Sequence, residues 1–121
     1  MLVEITKVDF EFSDDRGSLK QLVHQGWNQV NYIESKSGSF RGDHYHKKNI
    51  EAFFVIKGEF KLVVSNIEKT ITEEYIFKQG DFFKIHPLVV HSFYYTQDTQ
   101  LISFYNVGVE NSDGSKDILS L

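Results

Sequence analysis

No stretch of this chain keeps a helical period of apolar residues for more than about three turns. Short runs rich in Phe, Tyr and β-branched residues recur instead, roughly 8–12 residues apart, with turn signals between them. Eleven Phe and six Tyr stand against a single Pro, so almost nothing blocks ladder pairing. Leu2 to Phe12 reads as a first strand of imperfect alternation, and Asp14-Asp15-Arg16-Gly17 as a turn. Ser18 to His24 and Gln29 to Glu34 read as short strands, with a polar loop over 35–39. Glu51 to Ile56 and Phe60 to Val64 are stronger strands joined at Gly58-Glu59. Thr70 to Phe77 ends in the turn Lys78-Gln79-Gly80-Asp81, and His91 to Thr96 and Leu101 to Asn106 complete the set. Ser112 to Leu121 reads as one short helix or a tail. The pattern predicts an all-β fold, an antiparallel sandwich or barrel, and 121 residues suit one domain over 1–121.

Composition narrows the function classes. With 40% hydrophobic residues the chain can bury a core, and with no cysteine it has neither disulfides nor thiolate metal sites. A formal net charge of −4 argues against nucleic acid or an anionic membrane as partner. Met1-Leu2-Val3-Glu4 lacks a basic region followed by an apolar run, and no stretch is long enough to span a bilayer. A soluble cytoplasmic protein is expected.

The strand Glu51-Ala52-Phe53-Phe54-Val55-Ile56 carries apolar residues on both faces. One face of a barrel strand should meet water, so a second layer is expected outside it. A second subunit, giving a homodimer, is the leading expectation; a terminal strand or tail of the same chain is the other.

The stretch from Gly38 to Gly58 carries the chemistry. His44 and His46, spaced i, i+2 on a strand, point to one face. If the chain reverses across Lys47 to Asn49, the Glu51 carboxylate returns beside the two rings. His91 follows the turn at Gly80-Asp81 and the kink at Pro87, and can add a fourth donor. Imidazole and carboxylate suit zinc, manganese, nickel or iron where no thiolate is present.

The spacing Gly, five residues, His-x-His, four residues, Glu, six residues, Gly resembles the first cupin motif, met by Gly38, His44, His46, Glu51 and Gly58. Gly80 and His91 fit the ends of the second cupin motif. Its middle departs, with His86 in the proline position, Pro87 one later and Leu88 in place of glycine. The resemblance implies a cupin, a single antiparallel β-barrel of the jelly-roll kind.

A finer resemblance is to cupins that act on nucleotide-linked sugars. Asp15-Arg16-Gly17-Ser18-Leu19 is similar to an element of that group. Arg41-Gly42-Asp43-His44-Tyr45-His46-Lys47 resembles segments of dTDP-4-keto-6-deoxyhexose 3,4-ketoisomerases and dTDP-4-dehydrorhamnose 3,5-epimerases. His44-Tyr45-His46 followed by Lys48-Asn49 and Glu51 is similar to the metal-binding cupin domain of capsular-polysaccharide reductases.

The resemblance implies an isomerase or epimerase of a nucleotide-diphosphate 4-keto-6-deoxy sugar in surface polysaccharide biosynthesis, with no cofactor required. His44 and His46 would transfer the proton, Tyr32 would stand near the sugar, and Arg41 would hold the diphosphate. The capsular resemblance implies instead a divalent metal on His44, His46, Glu51 and His91. The alternatives are a metal-dependent cupin enzyme on another small molecule and a non-catalytic sugar-binding cupin.

Overall fold

In the computed structural model, which describes residues 1–121, twelve strands account for all the regular structure and no helix forms. They are β1 (Val3–Ile5), β2 (Phe10–Asp14), β3 (Gly17–Gln21), β4 (Gln29–Ser35), β5 (Phe40–Tyr45) and β6 (Glu51–Lys57). The second half holds β7 (Glu59–Asn66), β8 (Thr72–Lys78), β9 (Phe82–Ile85), β10 (Val89–Tyr95), β11 (Thr99–Tyr105) and β12 (Leu119–Ser120). One five-stranded sheet runs β1-β9-β6-β11-β4, a second runs β12-β5-β10-β7-β8, and β2 pairs only with β3. Every pairing is antiparallel.

The inner faces of the two five-stranded sheets meet in one core. Phe53, Val55, Phe83, Ile85 and Leu101 come from the first sheet, and Phe60, Leu62, Val64, Phe77, Phe93 and Tyr95 from the second. Phe77 and Phe83 stack across the gap with ring centroids 4.0 Å apart, and Phe60 packs on Phe93 at 5.3 Å. Each such fully buried aromatic or aliphatic side chain is worth about 1.5–3 kcal/mol. The all-β expectation holds, and the architecture is a jelly roll of two facing sheets.

One expectation from the sequence needs correcting, and two others narrow between the alternatives it offered. The first strand is two, because 6–9 interrupts the run between β1 and β2. The segment 112–121 forms no helix. It makes a bridge between Glu110 and Lys116 and then adds β12 to the edge of β5. The second layer over β6 is, in part, the chain's own: Val8, Leu22, Val23 and Trp27 pack on Ala52, Phe82 and Phe104, with Phe54 and Ile102 beside them.

That cover is incomplete. Val30 and Tyr32 on the outer face of β4 are 59% and 57% exposed. On the hairpin, Phe10 and Phe12 share a face with Leu19, the cross-strand partner of Phe12, and all three are exposed.

Candidate functional site

β5 and β10 open the site. His44 and His91 are cross-strand partners, and so are Arg41 and Phe93. Between these pairs β5 spends three steps where β10 spends two. The extra residue is a bulge at Gly42-Asp43, with Asp43 at φ 55°. Ser92 holds it: its Oγ accepts the Asp43 amide at 2.9 Å and donates to Asp43 Oδ1 at 3.3 Å. Bulges re-aim side chains and recur beside active sites. Here the bulge lets Arg41 and His44, an odd number of residues apart, line one cavity.

The cavity, of about 180 Å³, lies between the sheets and is lined by Arg41, His44, His46, Glu51, His91 and Tyr105, with Ile33, Phe53, Phe93, Tyr95 and Ile118 as its remaining wall. The chain does reverse across Lys47 to Asn49, and Glu51 opens β6 beside His46. His46 Nε2 lies 2.9 Å from Glu51 Oε1, and His91 Nε2 lies 3.8 Å from the same oxygen. All three side chains are buried. The Nδ1 of His46 meets the backbone carbonyl of Asp117 at 2.5 Å, and that of His91 meets the carbonyl of Val89 at 3.1 Å. A carbonyl can only accept, so each ring carries a proton on Nδ1 and turns Nε2 inward.

Electrostatics separate the two rings. Burial depresses the pKa of His46, but the hydrogen bond and charge of Glu51, with the Asp117 carbonyl, outweigh it and hold the group above the ordinary histidine value. Burial pushes His91 below that value, and Glu51 at the longer distance does not compensate. The two environments thus shift His46 toward its charged form and His91 toward its neutral form. Burial and the nearby Glu51 carboxylate drive the Tyr105 phenol far up, so it stays a donor.

The predicted residues do not all converge. The ligand atoms of His46, Glu51 and His91 lie within 4.8 Å of one another; His44 stands outside that cluster. It sits two residues back along β5, about 6.6 Å of strand away, while the Asp117 carbonyl draws the His46 ring inward. Three of the four ligand candidates thus lie together, and His44 lines the same cavity apart from them. Arg41 stands at the mouth, where Nε donates to Ser35 Oγ at 3.0 Å and a terminal nitrogen to the Glu34 carbonyl at 3.3 Å. Tyr32 is not among the residues that line the cavity. β4 alternates, Ile33 takes the inner face, and the Tyr32 ring points away from the cavity.

The sequence reading missed Asp117 altogether. Tyr105, whose inward position follows from the period of β11, was readable only once that strand's register was known.

Residues 12–109 match the polysaccharide biosynthesis C-terminal domain family. No curated protein matches the sequence. Among solved structures, a variant of the 3,4-ketoisomerase QdtA from Thermoanaerobacterium thermosaccharolyticum, in complex with TDP-4-keto-6-deoxyglucose, is 21% identical at a TM-score of 0.73, over 98% of this chain and 86% of that one. The dTDP-4-dehydrorhamnose 3,5-epimerase from Sulfolobus tokodaii is 21% identical at a TM-score of 0.67, over 87% and 75%. The capsular polysaccharide assembling protein CapF from Staphylococcus aureus is 22% identical at a TM-score of 0.70; 93% of this chain aligns with 34% of that one, so the chain spans about a third of its length. These likenesses establish the cupin-type jelly roll, and the match over 12–109 establishes that this chain belongs to the polysaccharide biosynthesis C-terminal domain family.

Proposed function

We propose that this protein is an isomerase or epimerase of a nucleotide-diphosphate 4-keto-6-deoxy sugar, working by histidine-mediated proton transfer in polysaccharide biosynthesis. The observation that carries the reading is the division of labour in one cavity: His44 opens into it outside the buried cluster, while His46 is held against Glu51, which raises its pKa. A proton beside a sugar carbonyl passes to His44, leaving an enediolate or enolate whose oxygen gains charge. The Tyr105 hydroxyl is a donor suited to that oxygen, and a protonated His46, whose two N–H groups are engaged by the Asp117 carbonyl and Glu51, supplies positive charge to the same cavity. Return of the proton to the former carbonyl carbon, as the hydroxyl proton passes from the adjacent oxygen to the former carbonyl oxygen, isomerises the sugar; return to the other face of the same carbon epimerises it. No external oxidant or reductant is needed.

At about 180 Å³ the cavity is smaller than the roughly 300–1,000 Å³ of sites that enclose whole drug-sized ligands. It takes the sugar ring and leaves the diphosphate and nucleoside at the mouth, where the Arg41 fork stands. Incubation with TDP-4-keto-6-deoxyglucose, followed by NMR, should show a new keto-sugar. An unchanged sugar in the presence of folded protein overturns the reading.

The convergence of His46, Glu51 and His91 supports a second reading, a metal-dependent cupin. Two imidazole nitrogens and a carboxylate with an open position fit a divalent ion such as zinc. When bound, it would polarise the sugar carbonyl, and His44 would remain free to move the proton.

We also infer a homodimer. The exposed faces of Phe10, Phe12 and Leu19 and of Val30 and Tyr32 supply apolar area that a second copy would cover, and light scattering at micromolar concentration should report twice the chain mass. A nucleotide-sugar substrate accords with a cytoplasmic place of action.

A further inference from the structure

The side chain of Asp117 lies 3% exposed beneath the turn that joins the two halves of the histidine site. Its Oδ1 accepts the amide of Lys47 at 2.8 Å. Its Oδ2 accepts the amides of Lys48 at 3.0 Å and Asn49 at 3.1 Å, and the Asn49 carboxamide at 2.9 Å. These four donors outweigh the cost of burial and keep its pKa below the usual aspartate value. Three consecutive turn amides with no strand partner would otherwise be left unsatisfied. The same residue's backbone carbonyl receives Nδ1–H of His46 at 2.5 Å.

The knot extends outward. Asn49, fully buried, uses its carboxamide oxygen to accept the amides of Val107 at 3.1 Å and Gly108 at 2.9 Å, and its nitrogen to reach the Gly108 carbonyl at 2.9 Å. The Lys47–Asn49 turn, the end of β11 and the C-terminal strap are thereby one unit. One face of Asp117 fixes the turn between His46 and Glu51, and the other fixes the His46 ring.

We propose that Asp117 is a positioning residue for the site: through its carboxylate on the 47–49 turn and its carbonyl on His46, it holds the Nδ1–H and sets the aim of the His46 ring toward Glu51 and the cavity. The consequence for turnover rests on the function proposed above; the consequence for the ring does not. A turn cap with no such role would stabilise the chain and leave His46 unchanged when removed.

The test uses the full chain with ¹⁵N-labelled histidine. In the wild type, one imidazole Nδ1–H should exchange slowly with solvent and vanish in His46→Gln. Asp117→Asn keeps the volume but sets an amide N–H₂ against the turn's own donors. In that variant the proton should exchange rapidly, and kcat should fall on the order of 10²-fold with KM little changed, because a small misplacement of a reacting group costs that much. Two results overturn the proposal: no protected imidazole proton in the wild type that is lost in His46→Gln, or a folded Asp117→Asn variant that keeps both that proton and the rate. If the variant does not fold, the wild-type proton decides. If the wild type leaves the keto-sugar unchanged yet shows the protected proton, the function fails and the positioning stands.

Discussion

Arg41 and His44 are three residues apart on one strand, yet both face the same cavity. A regular strand would send them to opposite faces. The bulge at Gly42-Asp43, held by Ser92, removes the conflict and places a guanidinium at the mouth above an imidazole in the interior.

Gly42 should therefore resist any side chain. A Cβ there would lie 2.4 Å from the tip of the Phe40 ring and 2.6 Å from Ser92 Oγ. The Phe40 ring is half exposed and can swing aside; Ser92 is buried and holds the bulge. Gly42→Ala is expected to lose about 1–3 kcal/mol of stability, measured by urea unfolding. A loss within experimental error would show that the bulge gives way easily.

Leu88 marks the departure from the second cupin motif. It takes φ 67°, a left-handed conformation costing a non-glycine residue about 1–2 kcal/mol. Its amide donates to the His46 carbonyl at 2.8 Å, which fixes the turn in place, and its side chain is 51% exposed. Leu88→Gly relieves that strain and gives back about 0.5–1 kcal/mol in chain entropy. The expected result is unchanged or slightly raised stability, where most leucine-to-glycine changes destabilise. A loss above about 2 kcal/mol would mean the side chain packs more than its exposure indicates.

Between pH 5 and 8 the two buried rings should pull stability in opposite directions. The pKa of His46 is raised in the folded state, so its contribution is complete below the ordinary 6.5 and is lost as pH rises through the folded value. The pKa of His91 is lowered, so its contribution is complete above 6.5 and is lost as pH falls through the folded value. Stability should peak near the middle of that range. His46→Gln should flatten the alkaline limb and His91→Gln the acid limb, in denaturation curves taken across pH. An acid limb unchanged in His91→Gln would contradict the assignment.

Arg41→Ala should act on binding more than on chemistry. The guanidinium stands at the mouth and offers a fork to two phosphate oxygens. KM for the nucleotide sugar should rise about tenfold, the order of one lost charge-assisted hydrogen bond, with kcat within a few-fold. A fall in kcat at constant KM would move Arg41 into the reacting centre.

The strands and the histidine site were legible for the same reason. Phe60, Leu62 and Val64 alternate with polar or outer residues, and that period follows directly from the pleat. His44, His46 and Glu51 lie within eight residues of one another, so their meeting depends only on a local turn. Whether Tyr32 or Ile33 faces the cavity was not legible, because it depends on which face of β4 is inside, and that is decided by pairing with β11 some 70 residues later. Asp117 was illegible because the unpaired amides of the 47–49 turn require an acceptor without specifying which of 17 acidic residues supplies it.

The central claim is proton transfer by His44 at a carbon beside a sugar carbonyl. Wild-type protein incubated with TDP-4-keto-6-deoxyglucose in heavy water, followed by mass spectrometry and NMR of the sugar, tests it directly. The expected result is solvent deuterium at a carbon adjoining the carbonyl, with the rate reduced by about 10²-fold or more in a folded His44→Ala variant. A sugar without deuterium in the wild type, or undiminished incorporation in His44→Ala, would contradict it.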